Sequence, residues 1–177
     1  DTQAPDAVDL ASGGSTDATA SSDVNDSAAA SGVSIASDIQ APTASDIASI
    51  KIVVGSVASG DTLDIGGDSV TLDGSDASGS DLTVKTIAGV DYSYAASLDT
   101  LTLTKNGSGN FTAAEVDDIV SGITFETTET EDAGTRTFAV SYVDDAGNEG
   151  TAATQTLNVD TQAPDAVDLA SGGSTDA

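Results

Sequence analysis

Residues 137–142 read Thr-Phe-Ala-Val-Ser-Tyr, so large apolar and small side chains alternate along the segment. A period of two places one set of side chains on the buried face of a β-strand and the other on the solvent face. The turn-forming sequence Asp-Asp-Ala-Gly-Asn follows at 144–148, and a further apolar alternation ends at 157–159. This stretch therefore predicts an antiparallel hairpin and indicates an all-β fold.

Shorter alternations of the same kind precede the hairpin, separated by turns rich in glycine, serine and aspartate. They centre on residues 50–54, 63–65, 70–72, 82–84 and 101–103. One helix interrupts them, because Thr-Ala-Ala-Glu at 112–115 is a capping box and apolar residues then recur at helical spacing. We expect an antiparallel β-sandwich, immunoglobulin-like or cadherin-like, with one short helix near residues 112–121.

Residues 1–18 return letter for letter as residues 160–177. The identity predicts a tandem array with a period of 159 residues (160 minus 1), in which 1–159 form one repeat and 160–177 begin the next. Within the repeat we expect residues 1–49 to form the junction, a first strand near Val8 and a long loop. The loop itself is expected over residues 13–32. The main sandwich then occupies 50–159, and residues 160–177 should be less well packed than residues 1–18.

An alternative architecture is a solenoid, which needs a repeat of roughly 20–45 residues. The chain offers only a degenerate echo of its opening at residues 38–47.

The charge balance excludes several classes of partner. Four basic residues stand against thirty acidic ones, a formal net charge of -26. Nucleic acids and anionic membranes are bound through Lys and Arg, so neither is an expected partner. The chain has no Cys and no His, which leaves oxygen ligands and therefore Ca²⁺ or Mg²⁺ as the expected metals. With no Trp and few other aromatic residues it also lacks the platforms of a glycosidase cleft, and we do not expect an enzyme.

Candidate metal ligands lie at the repeat junction and in the glycine turn. Asp160 and its copy Asp1 lie close to a proline that limits chain swing, and one Ca²⁺ with six to eight oxygen ligands could be shared by two domains. The alternative is that Asp160 only caps a turn. The glycine turn supplies Asp144, Asp145 and Asn148, which are also ordinary β-turn residues.

Two further candidate positions lie elsewhere in the repeat. Asp23 and Asp26 are spaced oxygen donors in the predicted loop, where simple solvation is the alternative. Glu126 follows an apolar Phe and is the best candidate of an acidic segment. Its other members are expected to form a solvated face: Glu129, Glu131 and Asp132.

Five segments, taken in order, carry a family resemblance. They are FTAAEV at 111–116, ITFE at 123–126, GTRTF at 134–138, DDAGN at 144–148 and VDTQAP at 159–164. Together they resemble the cadherin-like and bacterial immunoglobulin-like repeats of very large secreted adhesins. Among these are the extender regions of the repeats-in-toxin adhesins of Gram-negative bacteria.

The resemblance implies β-sandwiches strung in tandem on the bacterial cell surface, exported by type I secretion and stiffened by Ca²⁺ at the junctions. The expected function is a structural extender that projects a distal binding domain, with neighbouring copies as its partners and no other oligomerisation. The alternative is an adhesion domain that binds glycan, ice or protein directly. It would use a row of hydroxyls on one strand face: Thr100, Thr102 and Thr104.

Overall fold

The computed structural model describes residues 4–5, 7–8, 19–25, 31–36, 47–107, 109–128 and 133–162. Within them the chain forms two β-sheets and one short helix, which confirms the predicted all-β sandwich. The predicted difference in packing between the two copies of the repeated segment falls outside the described residues, because no corresponding pair is described in both. The echo at 38–47 lies outside them as well, except for its last residue.

Eleven strands, one α-helix (α1) and one 3-10 turn over Ala96–Leu98 make up the described fold. The helix spans Ala113–Gly122. The strands are β1 (Thr19–Asn25), β2 (Val33–Ser34), β3 (Ile47–Gly55), β4 (Asp61–Ile65), β5 (Asp68–Thr71), β6 (Ala77–Val84), β7 (Ile87–Ala95), β8 (Thr100–Lys105), β9 (Thr124–Thr127), β10 (Ala133–Asp144) and β11 (Ala153–Asp160).

The strands are divided between a large and a small sheet. The large sheet has the order β1-β11-β10-β3-β8-β7-β6, and the small sheet has the order β2-β9-β4-β5. The predicted hairpin is the pair β10 and β11, which runs antiparallel from Ala133 opposite Asp160 to Val140 opposite Ala153. β10 also pairs with β3, so the stretch that predicted the fold lies inside the large sheet.

The core lies between the two sheets and is filled by alternate residues of their strands. The apolar residues of β10 at 138, 140 and 142 are fully buried, as the period of two predicts. The ring of Phe125 on β9 packs against that of Phe138 on β10, with centroids 5.8 Å apart and planes tilted by 60°. Since β9 belongs to the small sheet and β10 to the large one, this aromatic pair joins the two layers.

Helix α1 begins at the predicted capping box. The Thr112 hydroxyl accepts the Glu115 backbone N–H at 3.3 Å, and the Glu115 carboxylate accepts the Thr112 N–H at 2.8 Å. Two N–H groups of the first turn that have no partner within the helix are satisfied in this way. The face of the helix turned to the core carries Val116, Ile119 and Val120.

Two parts of the strand assignment from sequence were wrong. The predicted loop over 13–32 contains β1, whose small polar residues give no alternation but which pairs in parallel with β11, from Thr19 opposite Thr154 to Asn25 opposite Asp160. The strand expected near Val8 does not include Ala7 or Val8, which are not in a strand even though Val8 is buried, and residues 9–18 lie outside the described part of the chain. Strand β7 was not predicted at all.

The β10–β11 hairpin defines two ends of the sandwich. The turn end contains the connection 144–148, and there Asp144 of β10 pairs with Ile47, the first residue of β3. At the exit end β11 finishes at Asp160, opposite Ala133 and beside Asn25. Because β10 has 12 residues, the turn end and the exit end are separated by about 35–40 Å at the usual rise per strand residue.

Candidate functional site

The glycine turn brings three predicted ligands together at the turn end. The Asp144 carboxylate accepts the Asn148 backbone N–H through Oδ1 and the Asn148 side-chain N–H through Oδ2, both at 2.8 Å. Gly147 has a φ of +82°, in the left-handed region that favours glycine, and its N–H donates to the Asp144 carbonyl at 3.0 Å. Donation by Asn148 lowers the pKa of Asp144, so this carboxylate is held charged.

Asp145 projects from the same turn and is exposed. Its Oδ2 accepts a side-chain N–H of Asn110 at 2.9 Å. Asn110 precedes Phe111, whose N–H donates to the Ile47 carbonyl at 2.8 Å, so the turn is tied to the segment that leads into α1. Sequence reasoning missed Asn110 as a member of this group, because 35 residues separate it from Asp145. Each carboxylate oxygen has two lone pairs, so these oxygens can accept a cation in addition to their N–H donors.

Asp160 lies at the opposite end of the sandwich and is exposed. Its Oδ1 accepts the Gln162 backbone N–H at 3.2 Å, which is the turn-capping arrangement that the sequence left open. The next residue, Thr161, is 3 % exposed, so the chain remains packed on the sandwich for one residue beyond β11. Within one copy, the structure therefore does not bring Asp160 together with Asp144 and Asp145.

The remaining predicted ligands are dispersed or lie outside the described residues. Asp23 lies in β1 opposite Asn158, and Glu126 lies in β9 opposite Thr62, so they belong to different sheets. Asp1 and Asp26 fall outside the described residues, as do Glu129, Glu131 and Asp132. In the part of the chain that the structure describes, no group of three or more acidic side chains is placed to hold a metal ion.

All four basic residues form ion pairs with carboxylates. Three pairs are at least partly exposed: Lys51 with Glu149 at 2.9 Å, Lys85 with Asp118 at 3.8 Å and Lys105 with Glu115 at 2.7 Å. The fourth joins Arg136 to Asp61 and is buried, with side chains 4 % and 0 % exposed. Thirty acidic residues minus four basic residues give the formal net charge of -26, and no basic side chain of the chain is left to balance it.

The Asp61–Arg136 pair connects the two sheets from inside the core. Arg136 lies on β10 of the large sheet and donates from Nε to Asp61 on β4 of the small sheet. The Ala58 backbone N–H also donates to the same carboxylate, at 2.8 Å. Sequence reasoning did not find this pair, although both residues share the inward parity of the apolar residues on their strands.

Comparison with known proteins adds no relative. The chain matches no protein-family model, no curated protein and no solved structure. Among the described residues, no helix has the length and apolar character that crossing a membrane requires. The class that the fold and the site define is therefore a strongly acidic two-sheet β-sandwich with carboxylates at both ends.

Proposed function

We propose that this chain is a structural extender module of a secreted bacterial surface adhesin, repeated in tandem outside the cell and stiffened by Ca²⁺ where consecutive copies meet. The role is mechanical, since each copy adds length to a rod that carries a distal binding domain. The sequence supports the proposal through the repeat of residues 1–18 at 160–177 and through the adhesin resemblance of residues 111–164.

The observation that carries the proposal is the path of the chain through the sandwich. Near its start, the Val8 N–H donates to the Thr151 carbonyl at 3.3 Å, at the turn end. Strand β11 then leads the chain to Asp160 at the exit end, which is about 30 Å from Thr151 at the usual rise per strand residue. A module that is entered at one end and left at the other adds nearly its whole length to an array, which is the geometry that an extender needs.

The same path explains why the predicted ligands are divided between the two ends. In a head-to-tail array the exit end of one copy, with Asp160, faces the turn end of the next, with Asp144, Asp145 and Asn148. Two incomplete sets of oxygen donors would thus meet at each junction, and Ca²⁺ accepts six to eight such donors. Without the cation, the facing carboxylates repel each other, and the orientation of one copy relative to the next is less restricted.

Weak binding is sufficient for this mechanism. Extracellular calcium modules bind at roughly 10⁻⁴–10⁻³ M. A site that binds only the assembled form stabilises it by about 2.7 kcal/mol when Ca²⁺ is present at 100 times the dissociation constant.

The test uses a chain with two consecutive copies of residues 1–159, compared in EDTA and in millimolar Ca²⁺. We expect Ca²⁺ to raise the melting temperature and to give one well-defined maximum dimension in small-angle scattering. Asp160→Asn at the junction, or Asp145→Asn in the second copy, should reduce the response. Asp118→Asn on α1 removes an equal charge from a half-exposed position outside both ligand sets and should preserve it. If neither measurement responds to Ca²⁺, calcium stiffening is wrong.

A second candidate function is direct ligand binding through the outer face of the large sheet. Thr100, Thr102 and Thr104 lie on one face of β8, with Ser49 of β3 opposite Thr104 and Ser93 of β7 opposite Thr102. The hydroxyl row thus continues onto both neighbouring strands and forms a broader polar surface than one strand provides. Binding of a single copy to a glycan array or to ice, abolished by Thr102→Val, would favour this function over the extender.

A further inference from the structure

The first described residues of the chain are packed on the sandwich rather than free of it. Pro5 and Val8 are buried, Val8 to 1 % exposure, and the Val8 N–H donates to the Thr151 carbonyl at the turn end. Ala4 is half-buried, whereas Ala7 is exposed. Pro5 and Val8 are therefore part of the folded body, held by their two buried side chains and by one backbone hydrogen bond.

At the other end, the chain is held until Thr161. Thr161 is 3 % exposed, and the Asp160 carboxylate fixes the following backbone by accepting the Gln162 N–H at 3.2 Å. Gln162 itself is exposed. Among the described residues, the last buried side chain is thus that of Thr161, one residue past β11.

The sequence identity makes these two anchors neighbours in a tandem chain. Residues 160–177 repeat 1–18, so Pro164 corresponds to Pro5 and Val167 corresponds to Val8. On the proposed tandem arrangement, on which this inference rests, Thr161 belongs to one body and Pro164 already belongs to the next. We propose that the joint between consecutive copies consists of only Gln162 and Ala163, and that the turn end of each copy is an interaction surface for the exit end of the preceding copy.

The length of the joint forces direct contact. Three Cα–Cα steps separate Thr161 from Pro164, and at 3.8 Å per step they span at most about 11 Å. Both anchors lie in the surfaces of their bodies, so this reach leaves no room for a solvent-filled gap several side chains wide. The proline also fixes φ at one end of the joint, which reduces the directions that the next body can take.

Contact at the joint does not depend on a metal ion. A joint with two free residues gives the second body few orientations, and the buried anchors at its two ends keep it short whether or not Ca²⁺ neutralises the carboxylates. Calcium then acts on bodies that already touch and selects one orientation from a narrow set. This differs from a flexible linker that becomes ordered only when the ion binds.

The absence of Cys from the chain allows a direct distance measurement. Asn158 near the exit end and Ala146 in the turn are exposed, and either can be replaced by Cys and spin-labelled. In the two-copy chain, one label is placed at Asn158→Cys of the first copy and the other at Ala146→Cys of the second. The control carries both labels within one copy, where the sandwich fixes the distance.

We expect the distance distribution across the joint in EDTA to be no more than about twofold wider than the control. Insertion of Gly-Ser-Gly-Ser between Gln162 and Ala163 should widen it severalfold while the melting temperature stays unchanged. A second measurement is amide hydrogen exchange, in which the Val167 N–H of the two-copy chain should be as protected as that of Val8. A distribution in EDTA as wide as that of the insertion variant, or rapid exchange at Val167, would overturn the short joint.

Comparison of the distance distributions in EDTA and in Ca²⁺ distinguishes a failure of this inference from a failure of the proposed function. A distribution that is wide in EDTA and narrow in Ca²⁺ refutes the short joint and supports calcium stiffening. A distribution that is narrow and identical in both conditions supports the short joint and refutes calcium stiffening. A distribution that is wide in both conditions refutes both.

Discussion

The buried ion pair between Asp61 and Arg136 gives the sharpest prediction for the stability of the sandwich. The pair joins β4 to β10 across the core, with side chains 0 % and 4 % exposed. Arg136→Met keeps much of the aliphatic volume but leaves the Asp61 carboxylate in the core without its cation. We therefore expect a large loss of stability from this single substitution.

Removing one partner of a buried pair costs about 3–5 kcal/mol, because the remaining charge stays desolvated and uncompensated. A typical domain has a free energy of unfolding of about 5–15 kcal/mol, so the variant should lose a large fraction of its stability. For a urea dependence of about 2 kcal/mol per molar, the midpoint should fall by about 2 M. Lys51→Met is the matched control, since its ion pair with Glu149 is partly exposed, at 34 % and 42 %, and exposed pairs contribute about 0–1 kcal/mol.

The assay is urea unfolding followed by far-ultraviolet circular dichroism. Asp61→Asn combined with Arg136→Met removes both charges and keeps an oxygen that can accept the Ala58 N–H. The double variant should therefore be more stable than Arg136→Met alone, and the two single effects should not add. Equal losses in Arg136→Met and Lys51→Met, or strictly additive single effects, would refute the reasoning that the buried charges depend on each other.

Further predictions concern three other buried or capping residues. The Tyr142 hydroxyl is buried with no hydrogen-bond partner among the described residues. Tyr142→Phe should therefore leave the melting temperature unchanged or raise it. A fall of about 1 kcal/mol or more in the free energy of unfolding would show instead that the hydroxyl is hydrogen-bonded. Burial also raises the pKa of Tyr142. The difference in free energy of unfolding between the wild type and Tyr142→Phe should therefore be constant below about pH 10, and the wild type should lose stability relative to the variant at higher pH. Thr112→Ala should cost about 0.5–2 kcal/mol in urea unfolding by removing the helix cap, whereas Thr112→Asn should restore most of it. The hydrogen bond from Lys105 lowers the pKa of Glu115, so the stability advantage of the wild type over Glu115→Gln should be present above about pH 4.3, the ordinary pKa of Glu, and should be lost as the pH falls below it. A stability difference that does not change with pH would contradict this.

The sequence predicted those elements whose signal is local. Alternation along 137–142 predicted a buried strand, and the capping box at 112–115 predicted where α1 begins. Both signals act within a few residues, because strand parity and helix capping are set by backbone geometry over one or two turns or pleats. The same parity rule also applies to the buried ion pair. Arg136 lies two residues from Phe138 and Asp61 lies two residues from Leu63, so each charged side chain points to the same inward face as a buried apolar one. A charged residue at an inward position needs a partner of opposite charge, and applying that rule would have indicated the pair.

The candidate site was only partly accessible from sequence. The turn residues Asp144, Asp145 and Asn148 are adjacent in the chain, so their grouping could be predicted, and the structure places them together. Asn110 could not be predicted, because its contact with Asp145 depends on the pairing of the segment before α1 with β3. Whether Asp160 and the turn share a calcium ion stays a prediction for the two-copy chain.

By itself, the sequence determined the all-β class, the helix start, the acid excess and the duplication of 1–18 at 160–177. Only the tertiary structure decided that β1, a segment of small polar residues, becomes an edge strand parallel to β11. It also decided that the chain enters at the turn end and leaves at the exit end. The physical reason is the same in both cases: pairing between strands is made by backbone groups that every residue carries, so side-chain patterns specify which face is buried but not which distant strand becomes the neighbour.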